Sequence, residues 1–254
     1  MCIRDSYIIS KYYNQGLIKE EQMTDEFFDY VLLGKGDEEE LAKRTGIPRE
    51  VLRELREDFE YWYPVDLRGS GKDLIGNHLT FYIFHHVALF PEDKWPKAVT
   101  ANGFVMLEGG KMSKTAGNFI PLERAIEEYG ADTTRLTLLT AAEGLEDPDW
   151  RSKNAEAIRR RLRSITSLYS KLKPLLRSGE RRYKNFFEEL LLTKLARMLR
   201  SIDEYMKELR TASAARIALF RMHETISDYL KLVDKPDPEA LRIYLSSWAK
   251  VLSF

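Results

Sequence analysis

The sequence predicts an α/β region followed by an all-α region. Three observations carry this. Strand-like runs at Tyr63–Leu67, Ala98–Ala101 and Phe104–Leu107 lie either side of a glycine turn and a helical run that starts near Leu74. Beyond Trp150 the pattern becomes purely helical: Ile158, Leu162, Ile165, Tyr169, Leu172 and Leu176 form one apolar stripe. Charge also changes sign along the chain. Residues 20–60 hold 14 acids and 6 bases, whereas residues 151–182 hold 11 bases and 2 acids. Two regions with different partners are therefore expected, although the formal net charge of the 254 residues is zero and no global field advertises a nucleic acid.

The elements follow in order. Residues 7–33 suit two short helices around a loop at Gln15-Gly16. Asp37 can cap a helix from Glu38 to Arg44, which Gly46 ends. Pro48 suits the start of the next helix, where Val51, Leu52, Leu55 and Phe59 keep helical spacing. This segment resembles a helix-turn-helix, but Glu54, Glu57, Asp58 and Glu60 of the would-be recognition helix would face phosphate, which opposes DNA binding. A helical insertion at about residues 20–62 on a larger domain fits better.

Tyr63 to Leu67 reads as a strand, with Pro64 at its start. Arg68-Gly69-Ser70-Gly71-Lys72-Asp73 follows as a glycine turn, and a helix carries Leu74, Ile75, His78, Leu79, Tyr82, Ile83 and His86. Strand, glycine turn and helix make the layout of a nucleotide-binding αβ unit. A Walker P-loop is excluded, because Asp73 follows Lys72 and Asp66 stands where glycine is required. Ala98 to Ala101 and Phe104 to Leu107 read as strands joined by an Asn102-Gly103 hairpin turn. Pro121 opens a helix from Leu122 to Tyr129 that Gly130 closes, and Asp132 is a candidate cap for a second, ending at Ala142. Leu145 to Trp150, with Pro148, marks a boundary. Four bundle helices follow. The second carries Leu191, Leu195, Met198, Ile202, Tyr205 and Leu209, the third runs from about Ala214 to Leu232, and the fourth starts after Pro238.

Between these regions lies Glu108-Gly109-Gly110-Lys111-Met112-Ser113-Lys114-Thr115-Ala116-Gly117-Asn118. Two lysines and two hydroxyls between glycines suit a mobile loop that closes over phosphate: ammonium groups neutralise developing negative charge and glycine lets the backbone approach. Taken alone, the same residues also describe an exposed basic turn. The single cysteine, Cys2, excludes an intrachain disulfide and a cysteine-based zinc site. His85 and His86 are adjacent on one helix and point to different faces, which argues against a metal site. The longest apolar-rich stretch, Leu79 to Phe90, is broken by Thr80, His85 and His86, and Arg4 and Asp5 interrupt any leader-like segment.

Lys111-Met112-Ser113-Lys114-Thr115 resembles the KMSKS signature of class I aminoacyl-tRNA synthetases, with threonine for the last serine. Gly71-Lys72-Asp73 with His78 resembles that family's adenosine-contacting element. The run from Tyr63 to Ile75 with Asn77 to Phe81, and Thr24 to Tyr30, is similar to leucyl-tRNA synthetases of the archaeal and eukaryotic cytosolic type. The resemblance implies the C-terminal half of a class I, Rossmann-like catalytic domain over residues 1–147. An incomplete antiparallel helical bundle of anticodon-binding type follows over 148–254, and the chain is truncated at both ends. The implied activity is ATP-dependent attachment of leucine to tRNA-Leu through an aminoacyl-adenylate, in the cytoplasm. Lys111 and Lys114 are the implied catalytic residues. Gly71, Asp73, His78, Met112, Ser113 and Lys114 would meet ATP, which carries its own Mg2+; no protein metal site is implied. Arg151, Lys153, Arg159, Arg160 and Arg163, in the basic stretch, are expected on the tRNA backbone.

Departures from the family pattern bound this reading. The His-x-Gly-His element of the class I site is missing from these residues, as is an editing domain, and Met1 to Ser6 do not resemble the family. The chain alone is therefore expected not to form leucyl-adenylate and to need the missing N-terminal half of the same enzyme. Asp73 as a plain helix cap, His78 as a core histidine and Arg159-Arg160-Arg161 as a solvated face are the structural alternatives. A tRNA-binding module without catalysis is the functional one.

Overall fold

The structure, a computed structural model, describes residues 3–113, 115, 117–177 and 185–253. Met1, Cys2 and Lys114, for which expectations were stated above, lie outside the described residues. Two compact units, residues 1–101 and 102–254, divide the chain.

In the first unit, α1 (Ile3–Asn14), α2 (Asp25–Leu33), α3 (Glu38–Thr45) and α4 (Arg49–Trp62) form where the helical periodicity predicts. The caps are those the sequence carries. Thr24 accepts from the N–H of Phe27, Asp37 accepts from that of Glu40 at 2.9 Å, and Gly34 and Gly46 end α2 and α3 in the left-handed region. Val51, Leu52, Leu55 and Phe59 of α4 turn into one core with Ile8, Phe27 and Val31. Each such side chain stabilises the unit by roughly 1.5–3 kcal/mol through burial. The carboxylates that argued against DNA reading are partly occupied within the unit: Asp58 pairs with Lys11 at 2.8 Å, and Glu60 pairs with Arg56 and Lys94. Glu38, held by Arg53 and then by the Tyr30 hydroxyl and Arg49, is pulled down to a pKa of about 2, and Tyr30 rises to about 12 through burial and that same bond.

Two strand expectations need correction. Tyr63 to Leu67 is not a strand; β1 is Arg68–Gly71, the expected glycine turn itself, paired with β2 (Val99–Asn102). The reason is donor availability. Pro64 has no N–H and that of Tyr63 returns to the Phe59 carbonyl at 3.0 Å, so neither serves a ladder. A tight turn at Lys72–Leu74 and a wide one at Ile75–Leu79 then lead into α5 (Thr80–Leu89). Leu79, Tyr82 and His86 are buried, whereas His85 is exposed, as adjacent helical positions require. His86 sits among Tyr63, Tyr82 and Phe90 as an aromatic core residue.

The Asn102-Gly103 hairpin does not form either. In the second unit β3 (Met106–Leu107) pairs antiparallel with β4 (Gly110–Lys111) and parallel with β5 (Asp149–Trp150). Phe104 donates to the Asp147 carboxylate at 2.6 Å, and Met106 to the Pro148 carbonyl at 2.8 Å. The 104–108 strand is thus committed to the 147–150 segment. Gly103 serves close approach rather than a turn: a Cβ there would lie 2.1 Å from the Glu146 carbonyl oxygen.

The helices α6 (Leu122–Tyr129) and α7 (Ala131–Ala141) meet at Gly130, with φ of 87°. Asp132, expected as a cap, lies inside α7, where the Gly130 backbone already turns the chain; it pairs with Arg135 instead. Beyond β5 come α8 (Ser152–Leu172), α9 (Phe186–Lys207), α10 (Thr211–Arg216), α11 (Met222–Leu232) and α12 (Pro238–Leu252), with a π turn at Ile217–Arg221 joining α10 to α11. The predicted stripes supply the core: Ile158, Ile165, Leu172, Leu191, Leu195, Ile202, Met222, Ile226, Tyr229, Leu241, Leu245 and Trp248 are all buried together. Tyr169 and Leu209 are exceptions: Tyr169 is half-exposed within its stripe, between the buried Ile165 and Leu172, and Leu209 is half-exposed past the end of α9. Among the described residues no helix is long and apolar enough to cross a membrane.

Candidate functional site

The site residues fall in both units, and each group is described within its own. In the first unit, β1 delivers Gly71 directly into the Lys72–Leu74 turn. Asp73 folds back over Gly71, so that a Cβ at position 71 would sit 2.6 Å from the Asp73 Oδ1. Gly71 therefore leaves room for that carboxylate. The turn starts at Gly71 with no side-chain cap bond, and Asp73 is exposed, so the capping role considered for it is not the one it plays. His78 is exposed as well, with Arg68 Nη2 3.4 Å from its Nε2, which removes the core-histidine alternative.

In the second unit, β4 places Lys111 on the surface, its Nζ 5.5 Å from the centre of the Phe104 ring. Met112 and Ser113 are half-buried. A bridge joins Ser113 to Asn118 in antiparallel sense. The Asn118 carboxamide accepts from the Ser113 N–H at 3.0 Å and donates to the Lys111 carbonyl at 2.8 Å. Of the expected hinge glycines, Gly109 and Gly117 hold φ of 84° and 71°, and Gly110 belongs to β4.

The stem of this loop is tied to the start of the basic helix. Glu108, itself left-handed with φ of 49°, accepts from the Ser152 N–H at 2.8 Å and so satisfies a free donor at the N-terminus of α8. Asp149 accepts from the Gly109 N–H at 2.9 Å with Oδ1 and from Arg151 Nε at 2.6 Å with Oδ2. The Gly109 N–H and then Arg151 hold its carboxyl below the usual carboxylate range. A depressed carboxyl stabilises the fold fully above its unfolded pKa and loses that contribution as pH falls through the folded value. The difference in melting midpoint between wild type and Asp149→Asn is therefore expected at neutral pH and should vanish in strong acid. A difference that persists unchanged through acid would remove this tie from the account.

The five cations expected on RNA divide by environment. Lys153, Arg160 and Arg163 are exposed on α8. Arg151 is exposed and paired with Asp149. Arg159 is the most engaged, binding Glu156 at 2.6 Å and reaching the Glu128 carbonyl at 3.4 Å. Arg159, Arg163, Thr166 and Ser170 line one side of a 590 Å3 cleft whose other side is Tyr129 to Thr133. Arg161 turns inward, to His223 Nδ1 at 2.8 Å. Sequence reading missed Asn118, Glu108 and Asp149. Only Asn118, a turn-forming residue after Gly117, carried a local signal.

Residues 46–151 match the family model of class I tRNA synthetases (I, L, M and V). The leucine–tRNA ligase of Archaeoglobus fulgidus is 45% identical over 247 residues, which are 97% of this chain and 26% of that protein. That of Pyrobaculum neutrophilum is 44% identical over 96% of this chain and 25% of its own length. That of Methanosarcina barkeri is 40% identical over 97% and 25%. The chain thus spans about a quarter of the length of the curated relatives it matches. Among solved structures, the ternary complex of Agrobacterium radiobacter K84 LeuRS, tRNA and LeuAMS aligns with a TM-score of 0.64 at 19% identity, covering 79% of this chain and 27% of that one. The free methionyl-tRNA synthetase of Mycobacterium tuberculosis aligns at 0.56 and 18%, covering 77% and 40%. At those identities the likeness is one of fold.

Proposed function

We propose that this chain, which belongs with the class I tRNA synthetases and resembles leucine–tRNA ligases over nearly its whole length, is the second half of the catalytic domain and the start of the anticodon-binding bundle of such an enzyme. The observation that carries this is Gly71-Lys72-Asp73 with His78, followed by Lys111 to Thr115, on a chain 45% identical over 97% of its length to a leucine–tRNA ligase. We place the boundary between these two parts near residue 148, just ahead of α8, although the two compact units of the structure divide at residues 101 and 102.

The chemistry follows from these residue types. The leucine carboxylate attacks the α-phosphate of ATP, a bond forms from carboxylate oxygen to phosphorus, and pyrophosphate leaves. Negative charge grows on the phosphates, and Lys114, with Lys111, offsets it. Asp73 accepts from ribose hydroxyls, while Gly71 lets the nucleotide lie along the backbone. His78, Met112 and Ser113 are the remaining residues that the resemblance assigns to ATP. ATP would bring its own Mg2+, which would neutralise part of the phosphate charge. The adenylate then passes leucine to the terminal adenosine of tRNA-Leu in the cytoplasm. The remainder of the enzyme supplies the His-x-Gly-His element, the leucine pocket and the cover for α5, where Phe81 and Phe84 are 62% and 65% exposed.

RNA binding belongs to the start of α8. Arg160, Arg163 and Lys153 neutralise backbone phosphates there, and Arg151 joins them. In the Arg160→Gln/Arg163→Gln double variant of the full-length enzyme, tRNA affinity should fall and the slope of log affinity against log salt should shrink by about 2, roughly one per lost phosphate contact. Filter binding across salt concentrations reads both. An unchanged slope would move the RNA elsewhere, and tighter binding of duplex DNA than of tRNA would revive the helix-turn-helix reading. A tRNA-binding module without catalysis remains the competing reading and differs in predicting no adenylate chemistry from the full-length protein.

A further inference from the structure

We infer that the Ser164 hydroxyl on α8 is a further tRNA contact, an uncharged donor to a backbone phosphate that His223 and Arg161 hold facing outward. The inference rests on the reading of α8 as the RNA-facing helix. Lys153, Arg160, Ser164 and Lys171 are all exposed and follow one another along α8 at intervals of 7, 4 and 7 residues. At 3.6 residues per turn those intervals keep all four on one face, in a row about 27 Å long. Glu156 lies off this row and is taken by Arg159 at 2.6 Å. Ser164 is thus the uncharged member of a cationic row.

The polarity of that hydroxyl is set from behind. His223 of α11 has Arg161 Nη1 2.8 Å from its Nδ1 and Ser164 Oγ 2.9 Å from its Nε2. A guanidinium can only donate, so Nδ1 is the accepting nitrogen of a neutral imidazole and the ring proton sits on Nε2. Burial, and then the charge of Arg161, pull the His223 pKa below its ordinary value, which favours that neutral ring. Trp248 packs edge-on to the imidazole at 6.2 Å, and the Arg161 guanidinium lies 5.1 Å from the centre of the Phe220 ring, which holds both in place. Nε2 therefore donates and Ser164 Oγ accepts. A hydroxyl inside a helix commonly gives its proton to the carbonyl one turn back, as Thr166 does to Leu162 and Ser170 to Thr166. Among the described residues Ser164 makes no such bond and has His223 as its one partner. Its own proton is left to donate outward, one turn beyond Arg160, where the surrounding cations favour an anionic oxygen. The same polarity excludes a serine nucleophile here, since His223 turns no lone pair toward Oγ and cannot take its proton.

The test is filter binding of tRNA-Leu to the full-length enzyme containing this chain, at several salt concentrations. Ser164→Ala should weaken binding about tenfold, the usual worth of a hydrogen bond to a charged group. The slope of log affinity against log salt should stay at the wild-type value, because no charge is lost. His223→Phe keeps a ring beside Trp248 and removes the donor, so the Ser164 hydroxyl turns back to the Arg160 carbonyl and the loss should match that of Ser164→Ala. His223→Gln keeps an acceptor for Arg161 and a donor for Ser164, and should bind close to wild type. The double variant Ser164→Ala/His223→Phe should be no weaker than Ser164→Ala. Melting midpoints identify the folded variants; should His223→Phe not fold, Ser164→Ala and His223→Gln decide. Wild-type affinity in Ser164→Ala, a slope that shrinks with it, losses that multiply in the double variant, or His223→Gln as weak as Ser164→Ala would overturn the assignment. If Arg160→Gln/Arg163→Gln leaves the slope unchanged, the reading of α8 as the RNA-facing helix fails instead, so the two failures are distinguishable.

Discussion

Replacing Lys114 with alanine in the full-length enzyme is expected to slow leucyl-adenylate formation by about 10²–10³-fold, the usual cost of deleting one preorganised charge-stabilising group. The expectation rests on when the ammonium acts. Pyrophosphate departure increases negative charge on oxygens that ground-state ATP already carries, so a cation fixed beside them favours the transition state over the bound substrate. The loss should therefore appear in the rate, with modest change in the KM for ATP. Affinity for tRNA should hardly move, since the exposed cations Lys153, Arg160 and Arg163 belong to α8 rather than to this loop. Pre-steady-state adenylate formation and tRNA filter binding, measured side by side, separate the two. Equal loss in both would remove Lys114 from the reacting centre. Lys111 should behave as a weaker version, because its ammonium lies against the Phe104 ring.

Trp248→Ala is expected to destabilise the bundle by about 3–5 kcal/mol, the usual cost of truncating a buried aromatic side chain. Trp248 is 3% exposed, and its Nε1 donates to the Ala218 carbonyl at 2.7 Å. That carbonyl lies in the π turn Ile217–Arg221, where the regular helical ladder is interrupted. Alanine would leave both a cavity beside Tyr244, whose ring lies 6.2 Å away, and an unpaired carbonyl. Trp248→Phe fills most of the volume and loses only the donor, so it should cost less, on the order of 1–3 kcal/mol. Guanidinium unfolding of the two variants reads the difference. Equal midpoints for both would mean that the volume of the ring contributes nothing, since both variants lack the indole N–H.

The bundle was legible because its signal is periodic and local. Ile158, Ile165, Leu172, Leu191 and Leu195 recur at helical spacing, and the helices bury those positions. Caps were legible for the same reason: Asp37 and Gly46 act within a few residues of themselves. The sheets were not, because their partners are remote in sequence. Asn102-Gly103 has the composition of a hairpin turn, but position 103 is glycine to let Glu146 approach. Nothing local reveals that Met106 will pair with Asp149, more than forty residues on. The site follows the same division. The lysines and glycines of the loop are read directly from Gly109 to Gly117, whereas the roles of Asn118, Glu108 and Asp149 depend on hydrogen bonds across the loop or across the sheet.

The central claim is that this chain carries the phosphate-facing half of a leucine-specific adenylating site. Amino-acid-dependent ATP–pyrophosphate exchange by the full-length enzyme tests it most directly. The account predicts exchange that requires leucine and is absent when the 254-residue chain is assayed alone. Exchange driven equally by isoleucine, valine or methionine, or supported by the isolated chain, would contradict it.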